Sequence, residues 1–304
     1  MAHDSPALRP APGIVTRPER GLRMVLAPNP SPMTHWGTNT FLLGEGGVIV
    51  IDPGPDSPAH LAALLAALEP GEEVAAIVVT HAHLDHSPLA RALKEATGAP
   101  VLAFGGASAG RSPVMRRLAE AGLAGGGEGV DAAFHPDRSL ADGETVAAGG
   151  VRIEALHTPG HFAGHLCLAW GDRLFSGDHV MGWASSLVSP PDGDMGAFMR
   201  SLDRLATRGW RRFYPAHGAP VDDPAARIAE LIRHRRAREA ALLTALAKGP
   251  ATVEALATQV YADTPAPLMP AARRNALAHL IDLWERNLVQ ADPELSLDAR
   301  FSLI

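Results

Sequence analysis

The sequence predicts a mixed α/β protein: a sandwich of sheets covered by helices, followed by a small winged-helix-like domain. Three observations carry this. Short β-branched runs alternate with Leu/Ala repeats at helical spacing, hairpin turns join several strands, and after Pro224 strands give way to helices. The chain divides accordingly into residues 1–224 and residues 225–304.

The opening thirty residues are proline-rich and read as irregular. From Asn39 the pattern is strand, turn, strand: residues 40–43, a Gly44 to Gly47 turn, then Val48-Ile49-Val50-Ile51. Asp52-Pro53-Gly54 ends that strand, and residues 60–68 repeat Leu and Ala at helical spacing until Pro70-Gly71. Residues 76–80 (AIVVT) form a short buried strand. Pro88 suits a helix start, and Gly98 is placed to end that helix. Residues 100–104 read as a strand and residues 113–120 as a helix, with the glycine-rich 122–129 a flexible loop. Two strand pairs follow, over 145–156 and 166–175. Beyond Pro224, residues 225–248 form one long helix stopped by Gly249-Pro250. Thr252 then caps a shorter helix with Glu254 in its first turn. Residues 271–286 make a third helix, and residues 288–303 alternate like a hairpin broken at Asp292-Pro293.

Composition bounds the function. A chain of 304 residues with 46% hydrophobic and 20% charged side chains buries a sizeable core and is not disordered. Its net charge of −6 provides no global basic field for nucleic acid. Residues 225–304 carry ten Lys and Arg against nine Asp and Glu, so any polyanion would be held locally. The single cysteine, Cys167, excludes internal disulfides and thiolate metal cages, and its apolar neighbours make it a core residue. The first dozen residues show no basic-then-apolar signal, and no apolar run is long enough for a bilayer. The expectation is a cytoplasmic protein with no membrane partner.

One segment concentrates chemistry. Thr80-His81-Ala82-His83-Leu84-Asp85-His86 sets three histidines and an aspartate within six residues, directly after a buried strand. Imidazole and carboxylate are what divalent zinc takes when thiolate is absent. A tight turn at a strand end aims alternate side chains at one point. Four such ligands are more than one tetrahedral ion can share with other groups, which points to two ions.

The motif resembles that of the metallo-β-lactamase superfamily, whose further hallmarks appear in order. They are Thr158-Pro159-Gly160-His161, Phe175-Ser176-Gly177-Asp178 and Pro215-Ala216-His217-Gly218. The resemblance spans residues 33–218 and implies an αββα sandwich. It implies that His81, His83 and His161 hold one metal, that Asp85, His86 and His217 hold the other, and that Asp178 bridges both. Zinc is the expected cofactor at both positions, with manganese or iron as alternatives. Departures narrow the branch. Familiar zinc β-lactamases carry cysteine where this chain has Asp178, and the diiron redox branch commonly has glutamate at the position of His83. The complete ligand set is similar instead to glyoxalase II-like thioesterases and ribonuclease-type branches. Ser87-Pro88 replaces the Gly-Gly pair common after His86, which alters the local loop. The stretch Met33-Thr34-His35-Trp36-Gly37-Thr38-Asn39-Thr40 and the helical tail resemble a group with a C-terminal winged helix. That group includes an endoribonuclease and thioesterases acting on carrier-protein-bound polyketides.

Two metals about 3.5–4 Å apart would bridge a water, lower its pKa toward ~7 and create the attacking hydroxide. The same ions would stabilise the developing oxyanion. Asp85 is then the residue expected to accept or relay the proton. The leading expectation is hydrolysis of an ester or thioester, on a small molecule or an acyl carrier. A single-strand-preferring endoribonuclease is the alternative, and a DNA-binding regulator is disfavoured because residues 271–286 offer only Arg273, Arg274 and Arg286 against Asp282 and Glu285. RNA and a second copy of the chain stay open as partners. Other residues are weighed against plainer roles: His157 and His165 as ligand supports or packing, and Asp52 as a hydrogen-bond anchor of the ligand loop. His35 and Trp36 line a substrate mouth or pack on the surface, and Tyr214 reads as a core residue. His179 is expected to point away from the metals. Arg233, Arg235, Arg236 and Arg238 form a phosphate-binding row or, as the near-neutral balance of residues 225–304 favours, a solvated helix face.

Overall fold

The computed structural model describes residues 9–127 and 129–304. The expectation of no leader segment rests on residues 1–12, of which residues 1–8 lie outside those described. Among the described residues no helix is long and apolar enough to cross a membrane.

The first sheet takes its strands in chain order: β1 (Val15–Glu19), β2 (Leu22–Leu26), β3 (Asn39–Leu43), β4 (Gly47–Ile51), β5 (Glu73–Val78), β6 (Val101–Ala103) and β7 (Arg138–Ser139). Pairing is antiparallel from β1 to β4 and parallel from β4 to β7. The second sheet contains β8 (Thr145–Ala148), β9 (Val151–His157), β10 (Leu166–Trp170), β11 (Arg173–Gly177) and β12 (Arg212–Pro215), in the spatial order β12-β11-β10-β9-β8. The sheets pack face to face through Met24, Phe41, Ile49 and Val78 on one side and Ile153, Leu166, Leu168 and Phe175 on the other. Their outer faces are covered too, so β4 and β5 read as continuous apolar runs rather than as alternation.

Helices α1 (Pro58–Ala66) and α2 (Leu89–Thr97) cover the first sheet through Leu64, Leu89 and Leu93. Ser57 starts α1 by accepting from His60 N–H ahead of Pro58, and Gly98 ends α2 at φ +76°. Helix α3 (Pro113–Glu120) has the expected bounds but an unexpected neighbour. Its Val114, Met115 and Leu118 pack into the C-terminal core. The second sheet is covered by α4 (Met195–Ala206) and α5 (Pro224–Leu246). Asp194 and Asp223 cap them from Ala197 N–H and Ala226 N–H.

Helix α5 serves two cores. Ile228 and Leu231 pack under the second sheet, whereas Leu242, Ala245 and Leu246 pack with α6 (Val253–Val260) and α7 (Met269–Glu285). A three-stranded sheet of β13 (Ala251–Thr252), β14 (Val289–Asp292) and β15 (Arg300–Leu303) completes a winged helix, and Thr252 caps α6 as expected. The third helix is turned inward: Ala278 joins the core beneath the second sheet. Its arginines are engaged within the chain, Arg273 with Glu254, Arg286 with Glu239 and Asp282, and Arg274 with the carbonyl of Ala124.

Two expectations are corrected. The opening thirty residues are not wholly irregular, since β1 and β2 form a hairpin at the sheet edge. Arg23 had hidden the apolar run of β2. It is buried and pairs with Glu72 in bonds of 2.6 and 3.0 Å. The four arginines of α5 do not share a solvated face. Arg233 and Arg236 are exposed, but Arg238 donates to Val260 O and faces Asp263, and Arg235 is only 1% exposed. Helical spacing turns successive residues by about 100°, so four arginines in six positions cannot all face solvent on a packed helix.

Candidate metal centre

All seven expected ligands follow strand ends at one edge of the sandwich. The His81–His86 turn follows β5 and is tightened by His86 N–H and Ser87 N–H donating to His83 O at 3.0 and 3.1 Å. His161 lies beyond β9, Asp178 beyond β11 and His217 beyond β12. Parallel pairing of β11 with β12 brings Asp178 beside His217. All seven side chains are buried.

Their donor atoms fall into two groups, each converging within 4.8 Å: His81, His83, His161 and Asp178, and Asp85, His86 and His217. His83 Nδ1 lies 2.9 Å from His81 Nε2 and 3.1 Å from His161 Nε2. Asp85 Oδ2 lies 3.1 Å from His217 Nε2 and 3.3 Å from His86 Nε2. Asp178 stands between the groups, with Oδ2 3.6 Å from both His161 Nε2 and His86 Nε2, and Oδ1 3.3 Å from His217 Nε2. That is the placement expected of a bridging carboxylate.

Hydrogen bonds fix which ring nitrogen is bare. His86 Nδ1–H donates to Asp52 Oδ2 at 3.0 Å, His161 Nδ1–H to Leu187 O at 2.6 Å, and His217 Nδ1–H to Gly37 O at 3.1 Å. Thr80 spends its hydroxyl proton on Asp52 Oδ2 at 2.8 Å, so at 3.0 Å it accepts from His81 Nδ1–H. Four histidines thus turn Nε2 into the site and His83 turns Nδ1; on His86 and His217 a bound cation would take the place of the Nε2 proton. Asp85 Oδ1, Asp178 Oδ1 and His86 Nε2 are buried without a hydrogen-bond partner. Each such orphan costs about 1–3 kcal/mol unless something fills the space. A cluster of lone pairs with nothing donated into it is chemistry for cations, and this donor set fits a dinuclear site.

The electrostatics divide the same way. Burial, reinforced by neighbouring rings, holds His81 and His161 below the usual histidine range and His83 at about 3. Burial also opposes charge on His86 and His217, but the carboxylates outweigh it: His86 is raised well above the ordinary value and His217 to about 10. Asp85 and Asp178 are correspondingly lowered despite burial.

The weaker candidates resolve individually. Asp52 is an anchor of the ligand loop, accepting from Thr80 N–H, Thr80 Oγ1 and His86. His165 supports the site from behind, its Nε2 accepting from Asp178 N–H at 3.2 Å while Thr158 Oγ1 lies 3.0 Å from its Nδ1. His157 instead stacks on Phe104 with ring centroids 3.9 Å apart. His179 packs on Phe198, away from the ligands. Tyr214 is a core residue whose hydroxyl donates to Glu19. His35 stacks between Trp36 and Trp183 beside the Gly218 turn. Sequence reasoning missed Ser186, Asn275 and the role of Arg235, since no motif ties them to the ligands.

Fold and site together define a metallo-hydrolase whose buried donors fit a two-cation centre. The chain belongs to the metallo-β-lactamase superfamily: residues 33–217 match the family described by that name, and residues 252–296 match the beta-lactamase-associated winged helix domain. Among its relatives, a beta-lactamase-like protein 2 homolog of Drosophila melanogaster is 32% identical over 289 residues, covering 91% of each chain. The lactamase-like protein aptB of Emericella nidulans is 32% identical over 225 residues, 72% of this chain and 63% of its own length. A metallo-beta-lactamase family protein of Thermus thermophilus superposes with a TM-score of 0.74 at 26% identity, over 94% of this chain and 99% of that one. A beta-lactamase domain protein of Burkholderia ambifaria shares the fold with a TM-score of 0.80 at 24% identity, over 98% and 96%.

Proposed function

We propose that the chain hydrolyses a carboxylic ester or thioester with two zinc ions bound by the seven buried side chains. The observation that carries this reading is a cleft of about 240 Å³ between the metal domain and the winged helix. Its lining is mostly apolar, with Met33, Met181, Trp183, Leu187 and Leu268 among it. It lies against the centre, because Leu187 O accepts from His161 and Trp183 abuts the glycine after His217. A mostly apolar slot, with Ser185, His234, Arg238, Thr264 and Asn275 as its polar remainder, suits an acyl chain carrying a polar group better than a phosphodiester backbone. Of the arginine cluster on α5 only Arg233 and Arg236 face solvent, and Arg273, Arg274 and Arg286 of α7 are engaged within the chain, so these helices offer no continuous basic row for RNA.

When bound, two such ions activate water near neutral pH and polarise the carbonyl under attack. The chain's own residues do the rest. His81, His83 and His161 would hold one ion, Asp85, His86 and His217 the other, with Asp178 placed between the two groups. Asp85 Oδ1 is buried and unpaired, so it can take the proton lost by the attacking water. The cleft would orient the acyl group against its apolar wall.

Incubation with acyl thioesters of graded chain length, aryl esters and labelled single-stranded RNA tests the reading, with Asp85→Ala and chelator-treated protein as controls. Thioester or ester turnover that rises with acyl length and is lost in both controls is expected. Metal-dependent RNA cleavage without ester or thioester turnover would replace this reading with the endoribonuclease.

A further inference from the structure

The winged helix touches the metal centre through one buried segment. Arg235 of α5 donates to Ser186 O, and its Nη1 donates to Asn275 Oδ1 of α7 at 3.0 Å. Val188 N–H donates to the same Oδ1 at 3.1 Å, and Asn275 Nδ2 donates to Ala271 O at 3.2 Å, which sets the amide's orientation. Residues 186–188 are thereby pinned from both C-terminal helices. The segment in turn grips two ligands: Ser186 Oγ donates to Asp178 O, and Leu187 O accepts His161 Nδ1–H at 2.6 Å.

Arg235 is an expensive way to fill space. It is fully buried over the Phe198 ring at 5.1 Å and among the described residues meets no carboxylate. Taking a cation out of water costs several kcal/mol, and a methionine of similar volume would pack there without that cost. What a methionine cannot do is donate to Ser186 O and Asn275 at once, as a planar guanidinium fork does.

We infer that Arg235 and Asn275 are positioning residues for the metal centre, holding Asp178 and His161 in ligating geometry through residues 186–188. The C-terminal domain is therefore part of the cation site as well as a wall of the cleft. The inference rests on the two-ion reading and is independent of which substrate is hydrolysed.

The test uses the full chain loaded with cobalt(II), whose absorption bands report coordination geometry, together with chelator competition and thermal unfolding of metal-free protein. Asn275→Ala and Ser186→Ala are expected to weaken cation affinity about 10-fold or more and shift the cobalt bands. Without metal, Ser186→Ala should unfold within a few degrees of the parent, whereas Asn275→Ala, which strands Val188 N–H and an Arg235 N–H, should unfold earlier while staying folded at the assay temperature. Asn275→Asp retains the acceptor for Val188 and Arg235 but loses the donor to Ala271 O, so it should bind the cation more tightly than Asn275→Ala, and Arg236→Ala on the exposed side of α5 should keep parent affinity. Arg235→Lys keeps the charge but not the fork and should fall between. Should it fail to fold, Asn275→Ala and Ser186→Ala decide the matter. Folded Asn275→Ala and Ser186→Ala that bind cobalt with parent affinity and spectrum would overturn the inference. A parent that takes up no cobalt would overturn the two-ion reading itself.

Discussion

Replacing Asp52 with alanine removes the one carboxylate that serves both halves of the ligand turn. Asp52 accepts from Thr80 N–H at 2.7 Å, Thr80 Oγ1 at 2.8 Å and His86 Nδ1 at 3.0 Å. Through Thr80 it also orients His81. Each stranded buried donor costs about 1–3 kcal/mol; water entering the vacated space favours the lower end, or about 3 kcal/mol for the three. Asp52 also sits at φ +49°, where alanine adds roughly 1–2 kcal/mol of strain that aspartate or asparagine largely avoids. Asp52→Ala should therefore lower stability by about 4–5 kcal/mol. Loss of the ring anchors should weaken cation binding about 10–100-fold. Asp52→Asn keeps the backbone preference and one acceptor, so it should lose less stability and still lose affinity. Urea unfolding of metal-free protein and chelator competition on loaded protein measure the two effects separately. Folded Asp52→Ala that retains both ions with parent affinity would refute the argument that ring orientation flows from this carboxylate.

Three further outcomes follow from the same geometry. Gly160→Ala places a methyl overlapping Phe198 Cα and 2.6 Å from its Cβ at φ +151°, and should lose about 2–6 kcal/mol in urea unfolding, against roughly 1–2 for Gly98→Ala, where nothing lies within 4 Å. Cys167, pushed up to about 12 by burial, stays a neutral thiol, so iodoacetamide at pH 8 should label unfolded protein promptly and native protein negligibly. Burial tends to raise Glu19, but hydrogen bonds from Tyr214, Arg173 and Arg211 win and hold it at about 2 against an ordinary 4.5. Its folded pKa is the lower one, so its stabilisation is complete above about 4.5 and fades as pH falls toward about 2. The unfolding-temperature gap between parent and Glu19→Gln should accordingly be present at pH 7 and shrink below pH 4.5; a gap unchanged at pH 3 would contradict this.

Much of the centre was legible because ligand chemistry is local. Histidines two and five residues apart after a buried strand have few other uses, and His161, Asp178 and His217 each sit in a short motif after a strand. The supports were less visible. Asp52 could be guessed from its place at the end of β4, but Ser186 and Asn275 are ordinary polar residues whose significance arises only when α7 docks on residues 186–188. The four arginines of α5 were misread for a related reason: charge implies solvent until tertiary packing supplies buried carbonyls, as Ser186 does for Arg235. Helix α4 escaped notice because its first turn, Met195-Gly196-Ala197, carries a glycine, and its helicity comes from Phe198 and Leu202 packing on the second sheet. The β1–β2 hairpin was obscured by Pro18 and by Arg23 within an apolar run.

The 23 residues of α5 span about 34 Å as one rigid rod. Because opposite ends of that rod are embedded in different cores, rotation at one end is transmitted to the other. A single residue inserted between Leu231 and Arg235 would turn everything beyond it by about 100° and swing the guanidinium off Ser186. Length in this helix is thus constrained as tightly as identity, since even a whole added turn, which restores the phase, would carry Arg235 about 5.4 Å along the axis from Ser186.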